Sequence, residues 1–287
     1  MYDVYEHQKN LSILKIDVIQ HSHIQPMSDS IQFILSVACS QGKREYMEDT
    51  YCVTKVLDKH DLFCVFDGHG GIDVAELCAK RVGPILGNEI KKTFDMPIAI
   101  RQTFHTLDNL SERECNVCGS TAVLALIYKQ RMWFANCGDA MAMVAWTSGD
   151  TEFMTQDHKV EYEAKRILAA GAQITYDDGC ARINRMLNIA RSIGDHHLKK
   201  YVIPNPYITS APLAKVSYVV IASDGLWDVY TPTILAHEIE IMTKKCQRDG
   251  IEKKETIDYI TKTLVENAYR RGSTDNITVI YLDLAKS

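Results

Sequence analysis

The residues best placed to do chemistry are acids that stop short apolar runs. In the stretch FCVFDGHGG, Phe63, Cys64, Val65 and Phe66 end at Asp67, and Gly68, Gly70 and Gly71 flank His69. Four apolar residues followed at once by turn residues predict a strand buried on both faces, with an acid at its tip. The glycines let the backbone turn sharply and approach a ligand. The same grammar recurs. Val219, Val220, Ile221 and Ala222 end in Ser223, Asp224 and Gly225; Ala135, Asn136 and Cys137 lead into Gly138 and Asp139; Asp275 stands just before the run Asn276, Ile277, Thr278, Val279, Ile280. In antiparallel sheets one strand's end lies beside its neighbour's beginning, so these four acids are expected along one sheet edge. Glu48 and Asp49, an acidic pair in a loop between two strand-like runs, add further oxygen donors. The expected product is a carboxylate-rich metal pocket. Taken singly, each residue has a plainer reading: His69 is a turn histidine and Asp275 a strand cap.

The elements that must position these acids are readable from periodicity. Strands are expected at 31–39, 51–56 and 63–66, followed by helices at 72–92 and about 97–112. A second meander follows at 121–128, 131–137 and 141–146. Residues 156–170 read as helical, closed by Gly171, and 172–206 as a loop-rich excursion near the site. A strand at 217–223, a helix opened by Thr231 and Pro232, another at 252–270 and a last strand at 276–282 complete the chain. Runs of strands and runs of helices, without strict alternation, predict an α+β fold with antiparallel sheets. Residues 1–30 form an N-terminal extension with scattered apolar positions; 31–287 are expected as one domain with a flap-like insertion at about 156–206.

Composition narrows the function class. A chain of 287 residues, 46% hydrophobic and 24% charged, is long enough for a sizeable core. Its net charge of −5 disfavours nucleic acid as a partner, since a phosphate-tracking surface shows as a basic excess. No apolar run reaches the roughly 18 residues of a spanning helix, and the N-terminus lacks a signal-peptide core, so no membrane insertion and an intracellular, cytoplasmic or nuclear location are expected. The nine cysteines, most inside apolar runs, are expected as reduced thiols. Cys115 and Cys118 form an isolated C-x-x-C without the second ligand pair that a structural zinc needs.

Nine short motifs in order, QGKREYMED, VFDGHGG, CGSTAVLAL, ANCGDA, DHK, ARINRML, ARSIGD, ASDGLWDV and GSTDNITVI, resemble the type 2C, or PPM, family of metal-dependent protein serine/threonine phosphatases. The resemblance runs from about residue 33 to 283. It implies a central antiparallel β-sandwich flanked by helix pairs, a four-layer αββα arrangement, with a two-metal centre at one end. Mg²⁺ or Mn²⁺ is the expected cofactor, because an acid-rich pocket without clustered His or Cys selects hard cations. By resemblance Asp67 bridges two ions, the Gly68 carbonyl joins one of them, Glu48, Asp224 and Asp275 complete the set, and Asp49 holds metal-bound waters. Asp139 with Asp224 resembles a weaker third metal position, and Asp228 an acid acting through water nearby. Arg44 matches the family's phosphate clamp, a role its guanidinium fork fills better than Lys43. His69 matches the general acid, and histidine's ordinary pKa near neutrality suits protonation of a departing alkoxide.

The implied partners are phosphoprotein substrates, and a monomeric or weakly associating chain is expected. The chain departs from the family pattern at three places. Ala140 and Met141 replace the Ser-Arg that commonly follows Gly-Asp, Val160 replaces the proline after Asp-His-Lys, and Arg185 replaces the glycine of Arg-Val-Asn-Gly. These changes bear on substrate preference, not on the hydrolytic machinery. Two rival readings use the same fold. A catalytically weak scaffold would have lost acids that this chain retains; a hydrolase of small phosphate esters would differ in the shape of its cleft.

Overall fold

Side chains alternate across a strand, so Leu62, Cys64 and Phe66 face one way and Phe63 and Val65 the other. All five are buried, and the strand must therefore be covered on both faces. The computed structural model, which describes residues 16–19, 33–177 and 179–284, shows what covers it. Strands β1 (Ile16–Ile19), β2 (Ile34–Ser40), β3 (Asp49–Val56) and β4 (His60–His69) precede helices α1 (Asp73–Thr93) and α2 (Met96–Ser111). Next come β5 (Gly119–Ser120), β6 (Ala122–Tyr128), β7 (Arg131–Cys137), β8 (Met141–Trp146) and β9 (Thr151–Phe153). Helix α3 (Ala164–Ala169), β10 (Ile174–Asp177), β11 (Cys180–Ile183), β12 (Ile193–Gly194) and β13 (Tyr207–Pro212) follow. The chain closes with β14 (Val216–Ala222), α4 (Asp224–Trp227), α5 (Pro232–Arg248), α6 (Lys253–Arg270) and β15 (Ile277–Asp283).

Two large antiparallel sheets result, with β10 and β11 forming a separate two-stranded one. One has the order β1-β2-β15-β14-β8-β9; the other runs β12-β5-β4-β6-β7-β13, with β3 paired to β4. Phe63, Val65, Val123, Ala125 and Phe134 meet Val37, Ala142, Val144, Ile221 and Ile280 between the sheets. On the outer face of the β4 sheet, Leu62, Cys64, Phe66 and Leu124 pack on Val74, Leu86, Ile100 and Phe104 of α1 and α2. The other sheet presents Met143, Val220 and Val279 to Leu235, Ile239, Ile257 and Leu264 of α5 and α6. These three interfaces make four layers, as the resemblance implied. Burial of each such Val, Leu, Ile, Phe or Met side chain contributes roughly 1.5–3 kcal/mol. Thr231 caps α5 by accepting the Ile234 amide, and Pro232 occupies the first turn.

Several boundaries differ from the sequence expectation for tertiary reasons. The strand expected to stop at Asp67 runs on to His69, because β5 pairs with Gly68 and His69. The chain turns only afterwards, at Gly70 (φ +70°) and Gly71 (φ +137°). The helix expected from residue 156 begins later, with a 3₁₀ turn at Val160–Glu163 ahead of α3. Residues 156–159 are held extended instead: Asn136 bonds the Gln156 backbone, and Lys159 bridges to Ile189. From there to residue 202 the chain folds around a small core of its own that includes Val160, Ile167, Ile183 and Val202.

Of the N-terminal extension, Ile16–Ile19 adds an edge strand to β2, and the rest of 1–30 lies outside the described residues. The expectation that all cysteines are reduced is corrected: Cys115 and Cys118 form a disulfide with a Cα–Cα distance of 5.4 Å. After α2 the chain folds back, the Glu114 and Cys115 amides both donating to the Ser111 carbonyl, which brings the two sulfurs together.

Candidate active site

Sheet register gathers the acids. Asp49 and Asp67 are directly opposed across the β3–β4 pair. Asp67 is held at both backbone groups: its amide donates to Thr121 Oγ1 (3.3 Å), and its carbonyl accepts the Thr121 amide (2.8 Å) and the Ser120 hydroxyl (3.3 Å). Asp224 opens α4 just beyond the end of β14, and Asp275 precedes the antiparallel β15, so both lie at the same end of the sheets. Asp139 lies in the turn between β7 and β8, where Asn136 Nδ2 donates to the carbonyls of Gly138 (3.1 Å) and Ala140 (3.3 Å). The outcome is that Asp67, Asp139 and Asp224 each offer a carboxylate oxygen, all within 4.8 Å of one another.

Such a group is electrostatically costly by itself. Withdrawal from water pushes the Asp67 and Asp224 carboxyls well above the usual carboxylate range, and their acidic neighbours push the same way. Burial pushes Asp49 up to about 6 against the hydrogen bond from Ser223. Asp139 is likewise pushed up to about 6, by burial first and then by Asp157. Asp49 Oδ1 and Asp224 Oδ1 are buried with no hydrogen-bond partner. Orphaned, mutually repelling carboxylate oxygens are what a hard divalent cation satisfies, so the donor set fits Mg²⁺ or Mn²⁺.

The remaining expected residues rim this group. The Glu48 amide donates to Asn276 Oδ1 (2.8 Å), and its carbonyl accepts the Gly68 amide (3.2 Å), fixing the 41–48 loop against β4 and β15. Arg44 Nη2 reaches Asp275 Oδ2 at 2.5 Å and stays half-exposed. Glu48 and Asp275 stand outside the tight trio of oxygens. Asp228 faces a cation: Lys159 Nζ donates to its Oδ1 at 3.3 Å. Burial opposes the charge on Lys159, yet Asp228, Asp157 and Asp139 together raise its pKa above lysine's ordinary value.

His69 has a partner that sequence reasoning missed. Its Nε2 lies 2.7 Å from Asp195 Oδ2, which also accepts the Ser192 hydroxyl. Burial raises the Asp195 carboxyl, but the hydrogen bond and charge of His69, with Ser192 and Lys199, outweigh it and leave the pKa below the usual value. Asp195 sits in the left-handed region (φ 51°), which aspartate tolerates better than most residues. Three further residues were not assigned from sequence. Ser223 donates to Asp49 Oδ2 (2.8 Å) while accepting the Thr278 amide (3.0 Å), Asn276 Nδ2 donates to the Gln41 (2.8 Å) and Tyr46 (3.0 Å) carbonyls, and Thr121 anchors Asp67. All four lie inside motifs quoted above, Ser223 and Asn276 beside the acids, Asp195 in ARSIGD and Thr121 in CGSTAVLAL, and that membership was the available signal.

A β-sandwich between helix pairs, with a cluster of carboxylates at the sheet ends, defines a metal-dependent phosphatase of the PPM class. Comparison with known proteins agrees. The family model described as "Protein phosphatase 2C" matches residues 34–277. A relative from Oryza sativa subsp. japonica, "Probable protein phosphatase 2C 45", is 34% identical over 265 residues, covering 88% of this chain and 88% of its own. "Probable protein phosphatase 2C 2" of Arabidopsis thaliana is 33% identical, covering 87% and 67%. Among solved structures, a C. elegans sex determining protein aligns with a TM-score of 0.79 at 25% identity, over 89% of this chain and 65% of that one. A serine-threonine phosphatase 2C from Toxoplasma gondii aligns with a TM-score of 0.73 at 21% identity, over 94% and 99%. The chain belongs to the protein phosphatase 2C family and is a metal-dependent protein serine/threonine phosphatase. Among the described residues, no helix is long and apolar enough to cross a membrane.

Proposed function

We propose that the chain hydrolyses phosphoserine and phosphothreonine in proteins by direct attack of water, with no enzyme-bound phosphate intermediate. The observation that carries this reading is the trio of Asp67, Asp139 and Asp224 oxygens within 4.8 Å, together with the orphaned Asp49 and Asp224 oxygens. Two Mg²⁺ or Mn²⁺ ions, when bound, would supply Lewis acidity that lowers the pKa of water and draws charge from the phosphoryl oxygens. Asp67, the Gly68 carbonyl, Glu48, Asp224 and Asp275 would hold them, with Asp49 orienting their waters. Asp139 and Asp224 would hold a weaker third ion, and Asp228 would act beside it through water.

Arg44, on the rim and half-exposed, would fork onto two phosphoryl oxygens. His69 would give a proton from its imidazole to the leaving serine or threonine oxygen, and Asp195 would hold the ring in line. The 156–206 segment, with its own small core beside Asp139, would form the flap that the substrate polypeptide meets. The chain would act as a monomer.

The test is phosphate release from a phosphothreonine peptide by wild-type protein and Asp224→Ala, with Mg²⁺, with Mn²⁺ and with excess chelator. Release that needs metal and is lost in the variant is the expected result. Folded, metal-loaded wild-type protein that frees no phosphate from several phosphopeptides would refute it and favour the scaffold or small-ester readings.

A further inference from the structure

The turn that carries the disulfide is also one wall of the His69–Asp195 pair. The Cys118 carbonyl accepts the Asp195 amide at 2.9 Å, and the Asn116 carbonyl accepts the His197 amide at 3.3 Å. Gly119, the next residue, pairs with His69 on one side and with Gly194 on the other. It is packed so closely that a Cβ there would lie 2.4 Å from His69 Nε2 and 2.1 Å from Asp195 Oδ2. Cys118 Sγ itself lies 3.1 Å from the carbonyl oxygen of Gly70, in the turn that follows His69. The backbone from 115 to 119 therefore braces both members of the pair.

The two sulfurs differ in freedom. Cys118 is 4% exposed and wedged against Gly70 and Gly71. Cys115 is only half-buried, between exposed Glu114 and Asn116, although it packs on the core and its Sγ accepts the Cys118 amide at 3.1 Å; of the two sulfurs it is therefore the nearer to an incoming thiolate. A bridge closing so few residues restricts the unfolded chain far less than one closing a long loop, so stability is a poor account of it.

We propose that Cys115–Cys118 is a thiol–disulfide site that tunes the proton-donating side of the active site; this rests on the phosphatase reading above. The reductant is a dithiol. One of its thiolates attacks Cys115 Sγ, the S–S bond breaks, and Cys118 leaves as a thiolate and takes up a proton. The second thiol of the reductant then displaces Cys115, which is also protonated, and the dithiol departs as its own disulfide. Two electrons and two protons have passed to the pair. Two thiols cannot stay at bonding distance, and Cys118 is wedged, so Cys115 moves outward, the neighbouring Asn116 carbonyl loosens its hold on the His197 amide, and the turn that begins at Asp195 shifts. The disulfide form is the better catalyst for substrates whose leaving oxygen needs a proton.

The experiment compares air-oxidised protein with protein reduced by dithiothreitol and desalted, both in Mg²⁺, the state of the pair being read by differential alkylation and mass spectrometry. Substrates are a phosphothreonine peptide, whose alkoxide needs the proton, and p-nitrophenyl phosphate, whose phenolate hardly does. We expect reduction to lower kcat on the peptide by about fivefold or more, a fraction of the roughly 10²–10⁴-fold that a positioned acid contributes in full, with a change under about twofold on the aryl ester. Cys115→Ser should resemble the reduced form and ignore the reductant, while Cys180→Ser, which removes an exposed thiol elsewhere, should keep the response. Equal peptide rates in the two states, equal losses on both substrates, or a thiol pair in the oxidised sample would overturn the proposal. Phosphate release from neither substrate in either state would overturn the phosphatase reading and this inference with it.

Discussion

Removing a carboxylate from the acid cluster should stabilise the metal-free protein. Asp67, Asp139 and Asp224 place oxygens within 4.8 Å of one another, and Asp224 Oδ1 has no hydrogen-bond partner. Two unit charges about 5 Å apart repel by roughly 3 kcal/mol at an effective dielectric near 20. Raised pKa values mean that proton uptake already relieves part of this, so Asp224→Asn should gain about 1–3 kcal/mol without metal. For a chain of this size that corresponds to a rise of roughly 2–5 °C in Tm. Metal reverses the order. A cation at about 100 times its Kd adds roughly 2.7 kcal/mol to the form that binds it, and the variant, short of one ligand, should gain much less. Thermal melts of both proteins in chelator and in saturating Mg²⁺ give the four values needed. If Asp224→Asn melts at or below wild type in chelator and gains as much from Mg²⁺, the cluster is neither strained nor a metal site, and the reasoning fails.

The same acids set a pH dependence. Asp49 and Asp139, pushed up to about 6, keep protons that the unfolded chain releases near 4, so the native state binds more protons in that window and stability falls as pH rises. Asp67 and Asp224, raised further, extend the decline, while His158, pushed by burial down to about 4, opposes it. In chelator the Tm should therefore drop between pH 5 and 7.5, and saturating Mg²⁺ should flatten the curve; a rise in chelator would contradict the assignment. Asp195→Asn should cost about 1.5–3 kcal/mol of transition-state stabilisation, a 10- to 150-fold fall in kcat on a phosphothreonine peptide, with p-nitrophenyl phosphate spared. Equal losses on both substrates would point to misfolding. Asn184 (φ 51°) and Arg185 (φ 63°) both occupy left-handed backbone in a turn closed by the Met186 amide on the Ile183 carbonyl, so Arg185→Gly should stabilise by about 0.5–1 kcal/mol in urea denaturation. Thr231→Ala should lose about 1 kcal/mol in the same assay by removing the cap of α5.

That turn shows how sequence and structure divide the evidence. Asparagine followed by glycine is the usual signature of a turn with two positive φ angles, and replacing the glycine by Arg185 hid it from a local reading. The two-faced burial of β4, the helical stripes of α1 and α2, and the Thr231-Pro232 start of α5 were all legible, because each depends on residues adjacent in the chain. Asp67, Asp139 and Asp224 were readable as candidates, since an acid that ends an apolar run is a local event; that their oxygens meet was not. The start of α3 was not, because residues 156–159 are held extended by Asn136 and Ile189 from elsewhere in the fold.

By itself, then, the chain's order of apolar runs and acids determined an α+β fold with antiparallel sheets and an acid-rich end, and its motifs, through the family they resemble, implied the sandwich between helix pairs. Tertiary structure decided which side chains meet there. His69 and Asp195 are 126 residues apart, and Ser223 lies 174 from the Asp49 it supports. C-x-x-C is visible as spacing, but whether its sulfurs bond depends on where α2 ends and on β5 docking against His69. Periodicity reports which face of an element is buried; the partner across that face is set by sheet register and by turn conformations such as the left-handed Asp195, and only the folded chain specifies these.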